Sequence, residues 1–159
     1  MSEPADRAVG WSGSMKTVLE EVTSDAVDAE HVRRRVEDWE ARLNGLYAKI
    51  GEWLPDGWEA RRGVPVVMHA KMMQMFGVEA KRLPTLELHS RSGQVVKLVP
   101  DALWIIGTNG RVDLKGDGGR YIMIDTADNF EEPRWEVSRS DRRSHREPVT
   151  LEWLTRVLQ

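Results

Sequence analysis

Two aspartates and a lysine come nearest, in type and spacing, to a reaction centre in this chain of 159 residues. Asp101 follows Pro100, and Asp113 and Lys115 stand two apart further on. Between them lie an apolar run, Leu103 to Gly107, the strong hairpin signal Thr108-Asn109-Gly110, and a returning segment, Val112 to Lys115. A turn over 108–110 sets Gly107 opposite Arg111, Ile105 opposite Asp113 and Leu103 opposite Lys115. Asp101, Asp113 and Lys115 then share one face of the predicted hairpin. Carboxylates are hard oxygen ligands, and two so arranged could hold an octahedral divalent ion.

Written out, Pro100-Asp101 with Asp113-Leu114-Lys115 resembles the PD…(D/E)xK signature of restriction-type, metal-dependent nucleases. The resemblance implies a Mg²⁺-dependent nuclease, with Asp101 and Asp113 as metal ligands and Lys115 orienting or activating the attacking water. It covers residues 100–115. Read from the residues alone, Pro100-Asp101 is a turn, and Asp113 and Lys115 are exposed strand residues.

A second cluster is basic. Arg134, Arg139, Arg142, Arg143 and Arg146, with His145 and Trp135, face only Glu136 and Asp141 within the same stretch. Clustered guanidinium groups beside an indole could contact phosphates while the ring stacks on a base. They could equally dock on an acidic surface, including this chain's own Asp125, Asp128, Glu131 and Glu132, or form a solvated loop. No other motif points to chemistry. His31, His69, His89 and His145 form no i,i+4 pair, and cysteine is absent, which leaves no expected zinc site or thiol nucleophile. Neither a GxGxxG nor a Walker loop occurs, and no cofactor is expected.

The elements that must position these residues begin with a long period. Ala29, Val32, Val36, Trp39, Leu43, Leu46, Ile50 and Trp53 alternate in steps of three and four, an a/d heptad over residues 25–54. Thr23-Ser24-Asp25 reads as the helix start, Asp28 as a first-turn acid, and Pro55-Asp56-Gly57 as the stop. Glu30/Arg34, Arg33/Glu37, Arg34/Asp38 and Asp38/Arg42 lie at i,i+4 and predict a solvated outer surface. In a parallel dimer Asp28 and Arg35 would attract Arg33 and Glu40 of the second copy. Tyr47 and Leu54 broaden the apolar face towards the C-terminal end. This predicts that Leu43 to Leu54 packs on the chain's own globular part. The Ala29–Trp39 half, through Ala29, Val32, Val36 and Trp39, would then project to a second copy or a protein partner.

Residues 1–24 read as a mobile segment carrying a short helix, Met15 to Val22. Trp58 to Gly63 reads as a loop. Pro65 predicts the first position of a Met-rich helix with Met68, Met72, Met75 and Phe76 on one side. From residue 83 the period changes to two, predicting an antiparallel meander of about five strands, in which Pro100-Asp101 breaks the second. Thr150 caps a last helix carrying Leu151, Leu154, Val157 and Leu158.

Forty per cent hydrophobic and 31% charged residues suffice for a buried core, and a formal charge of −3 excludes a globally basic nucleic-acid binder while allowing a local basic patch. No apolar run is long enough to span a bilayer. The sequence thus predicts an α+β protein with a globular part over 64–159. It reads first as a non-catalytic protein-interaction or regulatory module, oligomerising or docking a partner through the long helix. The alternatives are the nuclease and a nucleic-acid binder using the Arg134–Arg146 loop. A cytoplasmic accessory protein of bacterial or phage origin suits this style of chain.

Overall fold

The computed structural model describes residues 28–104 and 108–159. Its first helix, α1 (Ala29–Trp53), starts at Asp28, whose carboxylate accepts the His31 N–H at 2.9 Å. Asp28 is therefore the cap rather than a first-turn residue, and Glu30 complements the dipole behind it. The expected start at Thr23–Asp25 and the segment 1–24 lie outside the described residues. The helix stops where expected, with Gly57 at φ +90° turning the chain.

Nine strands follow, interrupted by a short helix. They are β1 (Trp58–Arg62), β2 (Val66–Met68), then α2 (Lys71–Met75), β3 (Lys81–Leu83), β4 (Leu86–Ser90), β5 (Val95–Ala102), β6 (Arg111–Gly116), β7 (Gly119–Asp125), β8 (Trp135–Arg139) and β9 (Glu147–Pro148). Seven of them form one sheet in the order β1-β4-β5-β6-β7-β8-β9, and β2 and β3 pair by themselves; every pairing is antiparallel. A last helix, α3 (Leu151–Val157), is capped by Thr150, whose hydroxyl accepts the Trp153 N–H at 3.1 Å. The class is α+β.

The expected count of about five strands falls short because the missed ones are too short for a period of two to stand out. The expected loop at 58–63 is the edge strand β1, where Trp58 and Ala60 make only a short apolar face before the charged Arg61 and Arg62. Charge on an edge discourages strand addition by another chain. Val66 and Val67 form a strand, not the first turn of a helix, since β-branched residues favour a pleat and β3 is there to pair with them. The Met-rich helix is thereby cut to Lys71–Met75. Its buried residue is Met73, off the predicted stripe.

One face of the sheet carries Leu86, Leu88, Val96, Leu98, Val112, Leu114, Met123 and Val137, all buried, and α1 lies against it. Six strand spacings of ~4.8 Å make a sheet of roughly 29 Å across, and 25 residues of helix reach about 38 Å. The helix is long because the sheet is wide. Its stripe is used along its whole length: Val32, Val36 and Trp39 are as buried as Leu43, Leu46 and Ile50. The N-terminal half does not project, and the stripe forms no exposed coiled-coil seam. Trp39 settles against the turn before β6, where a Cβ on Gly110 (φ +123°) would lie 2.4 Å from the indole.

Tyr47 fixes the C-terminal half, donating its hydroxyl to the Pro84 carbonyl at 2.9 Å. Burial holds this phenol well above its ordinary value, with the charge of Arg62 pulling the other way. The folded state keeps a proton that the unfolded chain releases near pH ~10. Its contribution is complete below that pH and is lost as the pH rises further. Tyr47→Phe should cost ~0.5–1.5 kcal/mol at neutral pH and flatten the alkaline decline. Urea midpoints across the alkaline range check this, and a decline as steep as wild type would refute it.

Candidate functional site

The residues that resemble the nuclease signature lie on the sheet's other face, away from α1. Strand β5 does not break at Pro100-Asp101. It runs on to Ala102, with a register shift between Pro100 and Ala102 that absorbs the proline. The pairing that results is Val99 opposite Asp113 and Lys97 opposite Lys115. The predicted partners Ile105 and Leu103 are not those partners, and Ile105 to Gly107 lie outside the described residues. Asp101 and Asp113 do come together, but around a cation. Arg111 Nε stands 2.8 Å from Asp113 Oδ1 and 3.6 Å from Asp101 Oδ2. The hydrogen bond to Asp113 raises the Arg111 guanidinium above its ordinary value, outweighing the opposite pull of burial. Two carboxylates neutralised by arginine make a poor first shell for a divalent ion. Among the described residues no three His, Asp or Glu side chains lie close enough to hold a metal. Lys115 makes no ion pair with either carboxylate.

Its neighbours are other cations. Register places Glu87, Lys97, Lys115 and Arg120 in one line across β4, β5, β6 and β7. Glu87 is turned to His89, its carboxylate 2.9 Å from Nε2. Lys97, Lys115 and Arg120 are exposed and make no ion pair with any described residue. Cross-strand neighbours have Cβ atoms ~4.5–5.5 Å apart, where like charges destabilise the sheet. The line continues into the loop after β8, because the Ser140 N–H donates to the Arg120 carbonyl at 3.0 Å.

That loop divides the predicted basic cluster. Arg134 binds the hydroxyl and carbonyl of Thr126 at 3.1 and 3.2 Å. Arg139 pairs with Asp141 at 3.2 Å and covers the Tyr121 ring, and Arg146 lies 3.4 Å from Glu136. Trp135 is tilted against Trp39 with centroids 6.1 Å apart, so its ring belongs to the core and not to a base. Arg142 and Arg143 alone in this set have side chains without a partner among the described residues. Docking of the arginines on the chain's own acidic loop reduces to one backbone contact, Arg134 N–H to Asp125 Oδ1 at 2.9 Å.

Asp125 is committed elsewhere, in a charge network that the surface reading of α1 missed. Arg42, fully inside, donates to Asp38 Oδ2 at 2.6 Å, to Asp125 Oδ2 and to the Glu131 carbonyl. Burial alone would pull Arg42 down, but the hydrogen bonds and charges of Asp38 and Asp125 hold it above its ordinary value. Two turns before it, Arg35 donates to Asn109 Oδ1 at 3.2 Å and lies over Trp104; burial lowers it. Asn109 in turn donates to the Ala127 and Asp128 carbonyls, both at 2.8 Å. The network ties α1 to the turn before β6 and the loop after β7. Arg35 and Arg42 recur seven residues apart beside the apolar stripe, and that recurrence is the signal the sequence offered.

Compared with known proteins, the chain matches no family model, no curated sequence and no solved structure. Among the described residues no helix is long and apolar enough to cross a membrane.

Proposed function

We propose that this protein is a non-catalytic, cytoplasmic binding module that holds nucleic acid by its phosphates against the open face of its sheet. The observation that supports the reading is the line Lys97, Lys115 and Arg120, three like charges set side by side without a counter-ion among the described residues. A fold gains nothing from that repulsion, whereas a polyanion lying across it supplies the missing charge. Arg142 and Arg143 stand in the loop that the Ser140 N–H joins to Arg120. The interaction surface is thus the sheet, in place of the 29–39 helix stripe that the core has used. A chain of net charge −3 can still act in this way, because the field that matters is local.

Binding to a mixed-sequence oligonucleotide should weaken as salt rises, with log affinity falling by about 0.7–0.9 for each phosphate neutralised, per unit of log salt. Replacing Lys97, Lys115 and Arg120 together by alanine should flatten that slope while leaving the unfolding midpoint unchanged or higher. A protein that retains no oligonucleotide at ~50 mM salt, where such contacts are strongest, does not have this function.

A further inference from the structure

The same face narrows the kind of nucleic acid, an inference that rests on the phosphate-binding reading above. Each cation in the line stands on a different strand, so the line runs across the strands. At ~4.8 Å per strand it covers about 10 Å from Lys97 to Arg120 before the 140–146 loop takes over. A duplex major groove, about 12 Å wide, is entered by a helix or a two-stranded ribbon. The broad flank of a seven-stranded sheet is neither, and a stiff duplex resting on it reaches few of these groups. A flexible strand can follow the line and then bend with the loop.

The side chains beside the line are equally specific about what is not read. Half-buried Val95, Val99 and Ile124 share the outer face by register with Ile122, which is buried, interspersed with Asp113, Arg111 and Glu136. No described Phe, Tyr or Trp is on it: Tyr121, Trp58 and Trp135 all pack against the core on the other side. Surfaces that read or hold bases by stacking rely on aromatic rings. Here the bases find partly covered aliphatic side chains and Arg111, which is already closed on Asp113 and Asp101.

We infer that the ligand is single-stranded nucleic acid, lying across β5, β6 and β7 with its phosphates on Lys97, Lys115, Arg120, Arg142 and Arg143, and bound without regard to base sequence. The contact is electrostatic, and its salt slope should approach −3 to −4, about 0.7 for each of five phosphates.

Fluorescence anisotropy on the whole chain tests this. The probes are labelled oligo(dT), oligo(dA) and oligo(dC) of about 20 nucleotides, longer than one sheet's footprint, and a duplex of the same length. The homopolymers should bind within about threefold of one another and at least about tenfold tighter than the duplex. Lys97→Ala/Lys115→Ala/Arg120→Ala should remove roughly three fifths of the slope, and Arg142→Ala/Arg143→Ala most of the rest. Lys97→Arg/Lys115→Arg should keep it, which separates lost charge from lost structure. Equal or tighter binding of the duplex, or homopolymers differing by more than about tenfold, overturns the single-strand inference and leaves the phosphate reading standing. Failure of every oligonucleotide to bind at ~50 mM salt overturns both. If polyglutamate alone binds, the line belongs to an acidic protein partner and the inference fails.

Discussion

Asp125→Ala should lower the unfolding free energy by about 3–5 kcal/mol, the cost of stranding a buried charge. Asp125 is 0% exposed, and its two oxygens serve three donors: Arg42 on one, the backbone N–H groups of Ala127 and Arg134 on the other. Alanine leaves all three without that acceptor, and Arg42 keeps its charge in the interior with Asp38 alone to balance it. A typical domain has ~5–15 kcal/mol to lose, so the variant should be only marginally folded at room temperature. The pair's net worth is a separate and smaller quantity. Replacing both ends by apolar residues, Arg42→Met with Asp125→Leu, should recover a large part of the loss, because desolvation and attraction nearly cancel in a buried pair. Urea titrations of the two single variants and the double variant measure the coupling directly. A single variant within about 1 kcal/mol of wild type would mean that the network closes around water and is not a structural clamp.

That network was hard to read in the sequence for a simple reason. Arg42 and Asp38 stand four apart and look like any surface pair, whereas the residue that draws Arg42 inside lies 83 positions away. What repeats locally was legible. The steps of three and four gave α1, Pro55-Asp56-Gly57 its stop, alternation β4 and the first part of β5, and turn signals the return strand β6 and the hairpin beyond it. The shortest strands were not, because β1 alternates only over Trp58 to Arg61 at an edge and β2 is three residues beside a proline. The binding surface lay between these cases. Lys97, Lys115 and Arg120 each stand singly in sequence. Lys115 and Arg120 meet across the turn between β6 and β7, but Lys97 joins them only through a register that depends on the shift at Pro100–Ala102, and a hairpin counted from the 108–110 turn places Lys115 against Leu103 instead. The same shift brings Asp113 and Asp101 to Arg111, where spacing alone suggested a metal.

Val36→Lys carries the other large effect, and it separates the two roles that a heptad stripe can have. Had Ala29 to Trp39 projected from the fold, a lysine at position 36 would sit at a seam between molecules, and the variant would be a folded monomer of wild-type stability. In the fold described here Val36 is 4% exposed, within a cluster that includes Val32, Trp39 and Leu43. No carboxylate belongs to that cluster, and the nearby acids Asp38 and Asp125 are held by Arg42. The ammonium would have to unpack α1 to reach water or give up its charge inside, and either route should cost ~3 kcal/mol or more. Leu46→Lys should do the same, since the helix meets the sheet along its whole length. The charge-free truncation Val36→Ala keeps the test readable if the lysine variant does not fold. It should lose only ~1–3 kcal/mol to the cavity and sediment like the wild type, because no contact between molecules has been touched. A Val36→Lys protein that folds with wild-type stability and sediments as a smaller species would put the stripe back between molecules, and the sheet would then have to find its cover elsewhere.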